Sequence, residues 1–78
     1  MIIKADKQRL RRQAHRLMML GIRVERERSK LKKLIERGAS FDDLRVVQAL
    51  ERFQAVDFEW RELEAVHLQL RLKLGIEI

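Results

Sequence analysis

Cysteine, proline and tyrosine are all missing from the 78 residues, glycine occurs only three times, and aromatic side chains make up 5%. Without cysteine, no disulfide can staple the chain and no thiolate can hold a metal. Without proline, and with so little glycine, few positions interrupt a helix. Long apolar runs are missing too: Leu17 to Leu20 is one of the longest, far below the ~20 residues that cross a bilayer. No secretory leader is visible. The expectation is a cytoplasmic chain with no membrane association.

What the chain does contain is 46% hydrophobic and 38% charged residues, the composition of one all-helical unit. A chain of this length buries only about 60% of its unfolded surface, so a core of its own is marginal. With staples excluded, self-association is the simplest source of further burial. The formal charge of +6 is unevenly spread. Residues 1–37 hold thirteen Lys or Arg against four Asp or Glu, and residues 38–78 hold five against eight. Such asymmetry predicts that the halves attract one another, that the basic half meets an acidic partner, or both.

The strongest break is Arg37-Gly38-Ala39-Ser40. Gly38 suits the left-handed position just past a helix end, with Arg37 complementing the carbonyl-rich terminus. Ser40 and Asp43 have capping-box spacing, with Ala39 and Leu44 at the staple positions. Upstream, Leu10, Ala14, Leu17, Gly21, Val24, Arg28, Leu31 and Ile35 recur at alternating steps of four and three. Downstream, Val46, Leu50, Phe53, Val56, Trp60, Leu63, His67, Leu70 and Leu74 do the same. Two heptad seams predict helix one over about 5–37, a turn at 38–40 and helix two over about 41–74. Folding back near residue 38 pairs Val24 with Phe53, Leu17 with Trp60 and Leu10 with His67. The expected fold is an all-α antiparallel coiled-coil hairpin in one domain. The tail has a second reading, because Val66, Leu68, Leu70, Leu72, Leu74, Ile76 and Ile78 alternate with polar residues and glycine as in a strand. Such a strand would have an edge open to pairing with a second chain or with Ile2 and Ile3.

Met18, Met19, Ile22, Phe58, Leu68 and Leu72 fall outside both seams. Apolar residues left over on a two-helix unit predict an assembly surface, here a homodimeric four-helix bundle through Met18, Ile22, Phe58, Leu68 and Leu72. A second candidate surface is basic: Arg9, Arg12, Arg16, Arg23, Arg26, Lys30, Lys33 and Arg37 form one stripe along helix one, roughly 40 Å long at 1.5 Å per residue. It could track phosphates without reading bases, or pair internally with Glu51, Glu59, Glu62 and Glu64. No stacking aromatics lie in the basic segment, so single-strand binding by base stacking is not expected.

Catalytic signals are thin. Glu64 and His67 have the Glu-x-x-His spacing of di-iron bundles, but the facing stretch of helix one offers Gln13, Ala14 and Arg16 where carboxylates are needed. No phosphate-cradling glycine loop and no nucleophile dyad occurs. Neither catalysis nor a metal, cofactor or small-molecule substrate is expected. The stretch from Arg26 to Phe58 resembles the small helical-hairpin aspartyl-phosphate phosphatases that regulate sporulation: Arg26-x-x-x-Lys30-Leu31 in the first helix, a short turn, then Gln48 and Leu50. The family's Ser and the Asp four residues later fall on Val47 and Glu51. The resemblance implies a hairpin fold, and a phosphatase-like regulator acting through Glu51 as the lesser alternative. The preferred expectation is a non-enzymatic module that homodimerises and regulates another macromolecule, either a protein or a nucleic acid (DNA or RNA).

Overall fold

A computed structural model describes residues 3–76. Two helices, α1 (Lys4–Glu36) and α2 (Leu44–Lys73), pack against each other as a hairpin, with no strand among the described residues. The molecule is a rod of 55 × 17 × 15 Å.

On α2, Val46, Ala49, Phe53, Val56, Trp60, Leu63, His67, Leu70 and Leu74 form the seam, all at least partly buried. Ala49 stands where Leu50 was expected. It is 0% exposed against 38% for Leu50. On α1 the seam is Leu10, Gln13, Leu17, Leu20, Val24, Glu27, Leu31 and Leu34, while Ala14, Arg28 and Ile35 are exposed. Both possible α1 seams share Leu10, Leu17, Val24 and Leu31, and differ in whether the intervening position lies three or four residues on. Taking three buries Leu20 and Leu34 in place of Gly21 and Ile35. It also brings Gln13 and Glu27 inward, and each finds a polar partner. Leu20 in place of Gly21 decides, since burying a leucine side chain is worth about 1.5–3 kcal/mol, while Leu34 and Ile35 are equal in size. Arg28, displaced to the seam's edge, lies over the Phe53 ring at 5.8 Å.

The turn is longer than 38–40. α1 ends in a Schellman motif: Gly38 has φ 89°, its N–H donates to Ile35, and the Ala39 N–H donates to Leu34. Ser40 does not cap α2. Its hydroxyl donates to Asp42, and Asp43 is the cap, its carboxylate accepting from the Arg45 N–H at 2.9 Å. Leu44, expected in a staple, is 68% exposed. Starting α2 at Leu44 moves the pairing by about one helical turn. His67 meets Gln13, Gly21 approaches Trp60 Nε1, and Arg52 reaches Glu27.

The alternating tail is helical through Lys73. A second Schellman motif closes it, with Gly75 at φ 74°, its N–H donating to Leu72 and the Ile76 N–H to Arg71. Of the suggested strand partners, Ile3 is the N-cap of α1, and Ile2 lies outside the described residues, as does Ile78 at the end of the alternating run.

The enclosed core is small. Among the described residues only Leu20, Val24, Val46, Ala49, Val56 and Leu70 are buried, against thirteen large apolar side chains that are exposed. Two helices meeting along one seam leave each with most of its circumference uncovered.

Candidate functional site

Once the seams are set, the heptad fixes which residues share each flank of the rod. Arg16 Nη2 lies 3.1 Å from Glu59 Oε1 across the two helices. Two-turn steps from Arg16 along α1 reach Arg9, Arg23, Lys30 and Arg37, with Arg12, Arg26 and Lys33 in the adjoining row. Equal steps from Glu59 along α2 reach Arg45, Arg52, Val66 and Lys73. All eight cations of the expected stripe therefore lie on one flank, and every one of them is exposed. Arg45, Arg52 and Lys73 extend it across α2, a contribution the sequence reading missed. Their seven-residue spacing was visible, but its alignment with the stripe depends on the register. Against these eleven cations the flank offers only Glu59 and Glu62 from its surface rows.

Internal pairing answers little of this charge. Arg16 pairs with Glu59. Lys30 at 3.4 Å and Arg52 at 3.6 Å share the carboxylate of Glu27, which reaches out from the seam with a side chain only 16% exposed. One oxygen of that carboxylate, Oε2, is buried and accepts no hydrogen bond. Arg45 holds the cap Asp43 at 2.9 Å. Arg9, Arg12, Arg23, Arg26, Lys33 and Arg37 make no ion pair among the described residues, and neither do Glu51, Glu62 and Glu64. Cations three or four residues apart on a helix repel by roughly 0.2–0.5 kcal/mol per pair, and Lys4, Lys7 and Arg9 oppose the positive end of the α1 dipole. A hairpin with so small a core carries this repulsion without internal relief.

On the opposite flank three cations are answered locally. Arg28 pairs with Glu25 at 3.2 Å, Arg61 with Asp57 at 2.9 Å and Lys32 with Glu36 at 3.8 Å. Gly21, Asp57, Trp60 and Arg61 border a cleft of about 210 Å³ there. Met18 and Leu68 belong to this flank, together with Ile35, Val47 and Leu50. Ile22 falls on the outer side of α1, and Phe58 and Leu72 on the outer side of α2. The five residues expected to form one interface are therefore all exposed, at 38–66%, but are divided over three faces of the hairpin.

Several other polar groups have structural partners. His67 Nδ1 lies 2.8 Å from Gln13 Oε1 in the half-buried seam, which engages the imidazole of the Glu-x-x-His pattern. No group of three His, Cys, Asp or Glu gathers among the described residues. At the α2 start, the Ser40 hydroxyl holds the Asp42 carboxyl below its ordinary value. The Arg45 side chain and backbone N–H do the same for Asp43, which in turn pushes the guanidinium up. Glu51 is exposed. No helix is long and apolar enough to cross a membrane. No protein-family model, curated protein or solved structure matches the chain.

Proposed function

We infer that this protein is a non-enzymatic helical-hairpin interaction module of the cytoplasm, which completes its core with a second copy of itself and regulates another macromolecule by binding it. The observation that carries this reading is the imbalance, among the described residues, between six buried apolar residues, one of them an alanine, and thirteen exposed large apolar side chains. A two-helix unit of this size does not offset its chain entropy by one narrow seam, and without cysteine no disulfide can staple it. A second hairpin supplies the missing cover. The flank of Met18 and Leu68, widened by Ile35, Val47 and Leu50, suits that contact, because its central charges already pair within the hairpin. Ile22, Phe58 and Leu72 then border the bundle. Replacing Met18→Glu together with Leu68→Glu is expected to break the dimer and, with it, most of the helix signal in circular dichroism. A variant that remains dimeric and fully helical by light scattering and dichroism would overturn this assembly. Ile22→Glu with Phe58→Glu is the matched control at the border and is expected to do less.

A further inference from the structure

We propose that the basic flank is a docking face for the phosphate backbone of double-stranded DNA, read without base contacts. The inference takes from the reading above only that a macromolecular partner exists, not that the protein is dimeric. Three observations support it. The flank gathers cations from both helices, so it is a surface two helices wide and not a single row. Its outer row, Arg12, Arg26 and Lys33, and the ends Arg9 and Arg37 have no carboxylate partner among the described residues, which leaves them able to release counterions from a polyanion. On the opposite flank Arg28, Lys32 and Arg61 each have a carboxylate within 4 Å, whereas the basic flank offers two surface carboxylates to eleven cations.

The shape narrows the partner. From Arg9 to Arg37 the cations extend for roughly 40 Å along a straight helix, slightly more than the ~34 Å turn of B-form DNA. A rigid rod of this length meets one turn of a stiff duplex better than it follows a flexible strand. The flank also lacks the stacking platforms that single strands use. Phe53 and Trp60 lie in the seam, Phe58 on the outer side of α2 and Phe41 in the turn. With contacts to phosphates alone, the expected affinity is independent of sequence and sensitive to salt.

The test is fluorescence anisotropy with a labelled DNA duplex of about two turns, ~21 bp, titrated at several salt concentrations. With six phosphates neutralised, the logarithm of the binding constant is expected to fall against the logarithm of salt with a slope of about −5. Arg12→Gln, Arg26→Gln and Lys33→Gln together are expected to flatten that slope by about 3 units. Lys4→Gln, Lys7→Gln and Arg11→Gln together, which remove the same charge from the N-terminal end of the other flank and break no ion pair among the described residues, are expected to leave it within one unit. Equal losses from the two triple variants would overturn the assignment to this face. Tighter binding to single-stranded DNA, to an RNA duplex, to anionic vesicles or to polyglutamate would overturn the assignment to duplex DNA. Dichroism and light scattering on each variant separate failure of this face, which changes the slope, from failure of the dimer, which changes the mass.

Discussion

Replacing Glu27→Leu is expected to stabilise the protein, although it deletes the carboxylate on which two cations converge. Glu27 occupies a seam position with a side chain 16% exposed, and its Oε2 is buried without a hydrogen bond. A leucine there adds about 2 kcal/mol of apolar burial. Removing the unsatisfied oxygen relieves a further ~1 kcal/mol. Against this stand the contacts to Lys30 at 3.4 Å and Arg52 at 3.6 Å. Those cations are 62% and 57% exposed, so each pair is worth about 0.5 kcal/mol. The net is about 2 kcal/mol of stabilisation, or roughly 10 °C in melting temperature for a chain of this size. Thermal melts of both proteins at one concentration measure it, since a dimer's melting point moves with concentration. Destabilisation would refute the reasoning, and would mean that the Glu27 pairs fix the register of the seam and do not merely occupy it. The same variant frees Lys30 and Arg52 and is expected to tighten binding to duplex DNA at low salt.

The two internal glycines are expected to respond in opposite directions. Gly21→Ala places a Cβ 3.6 Å from Trp60 Nε1, an ordinary contact, and should raise stability by about 0.5–1 kcal/mol through helix propensity. A loss in the melt would show that Trp60 needs the bare backbone. Gly38→Ala forces a side chain into the left-handed conformation at φ 89° and should cost about 1–2 kcal/mol in the same assay. The carboxyls of Asp42 and Asp43 sit below their ordinary value of 3.8 in the folded protein. Their contribution is therefore complete above that value and is lost as pH falls below about 4. In dichroism titrations from neutral to acid pH, Asp43→Asn, which retains a capping oxygen, is expected to shrink the acid loss of helix. An unchanged profile would remove Asp43 from the account.

The hairpin was legible because its cause is local. Residues 10, 17, 24 and 31 and the α2 seam repeat too regularly to be anything else, and Gly38 and Gly75 mark both helix ends. The expected and observed α1 seams part at alternate positions, because apolarity favours Ala14 over Gln13 and the step of four then continues through Gly21, Arg28 and Ile35. The fold instead follows the bulk of Leu20 over Gly21, with His67 meeting Gln13 and with Lys30 and Arg52 pairing with Glu27. The register was misread because Ser40 and Asp43 can each cap a helix, and only the bond to the Arg45 N–H selects Asp43. That shift of one turn determines which residues of α2 stand opposite each cation of the stripe. Arg9 to Arg37 could therefore be found from the sequence, while Arg45, Arg52 and Lys73 could not be joined to them. The apolar residues outside the seams were legible one by one. Their division over three faces follows only from the completed seam.

Sedimentation equilibrium combined with concentration-dependent thermal melts tests most directly the claim that one hairpin encloses too little to fold alone. The account predicts twice the chain mass across the micromolar range, and a melting temperature that rises with concentration because folding and association are one step. A folded monomer with a melting temperature independent of concentration would contradict it.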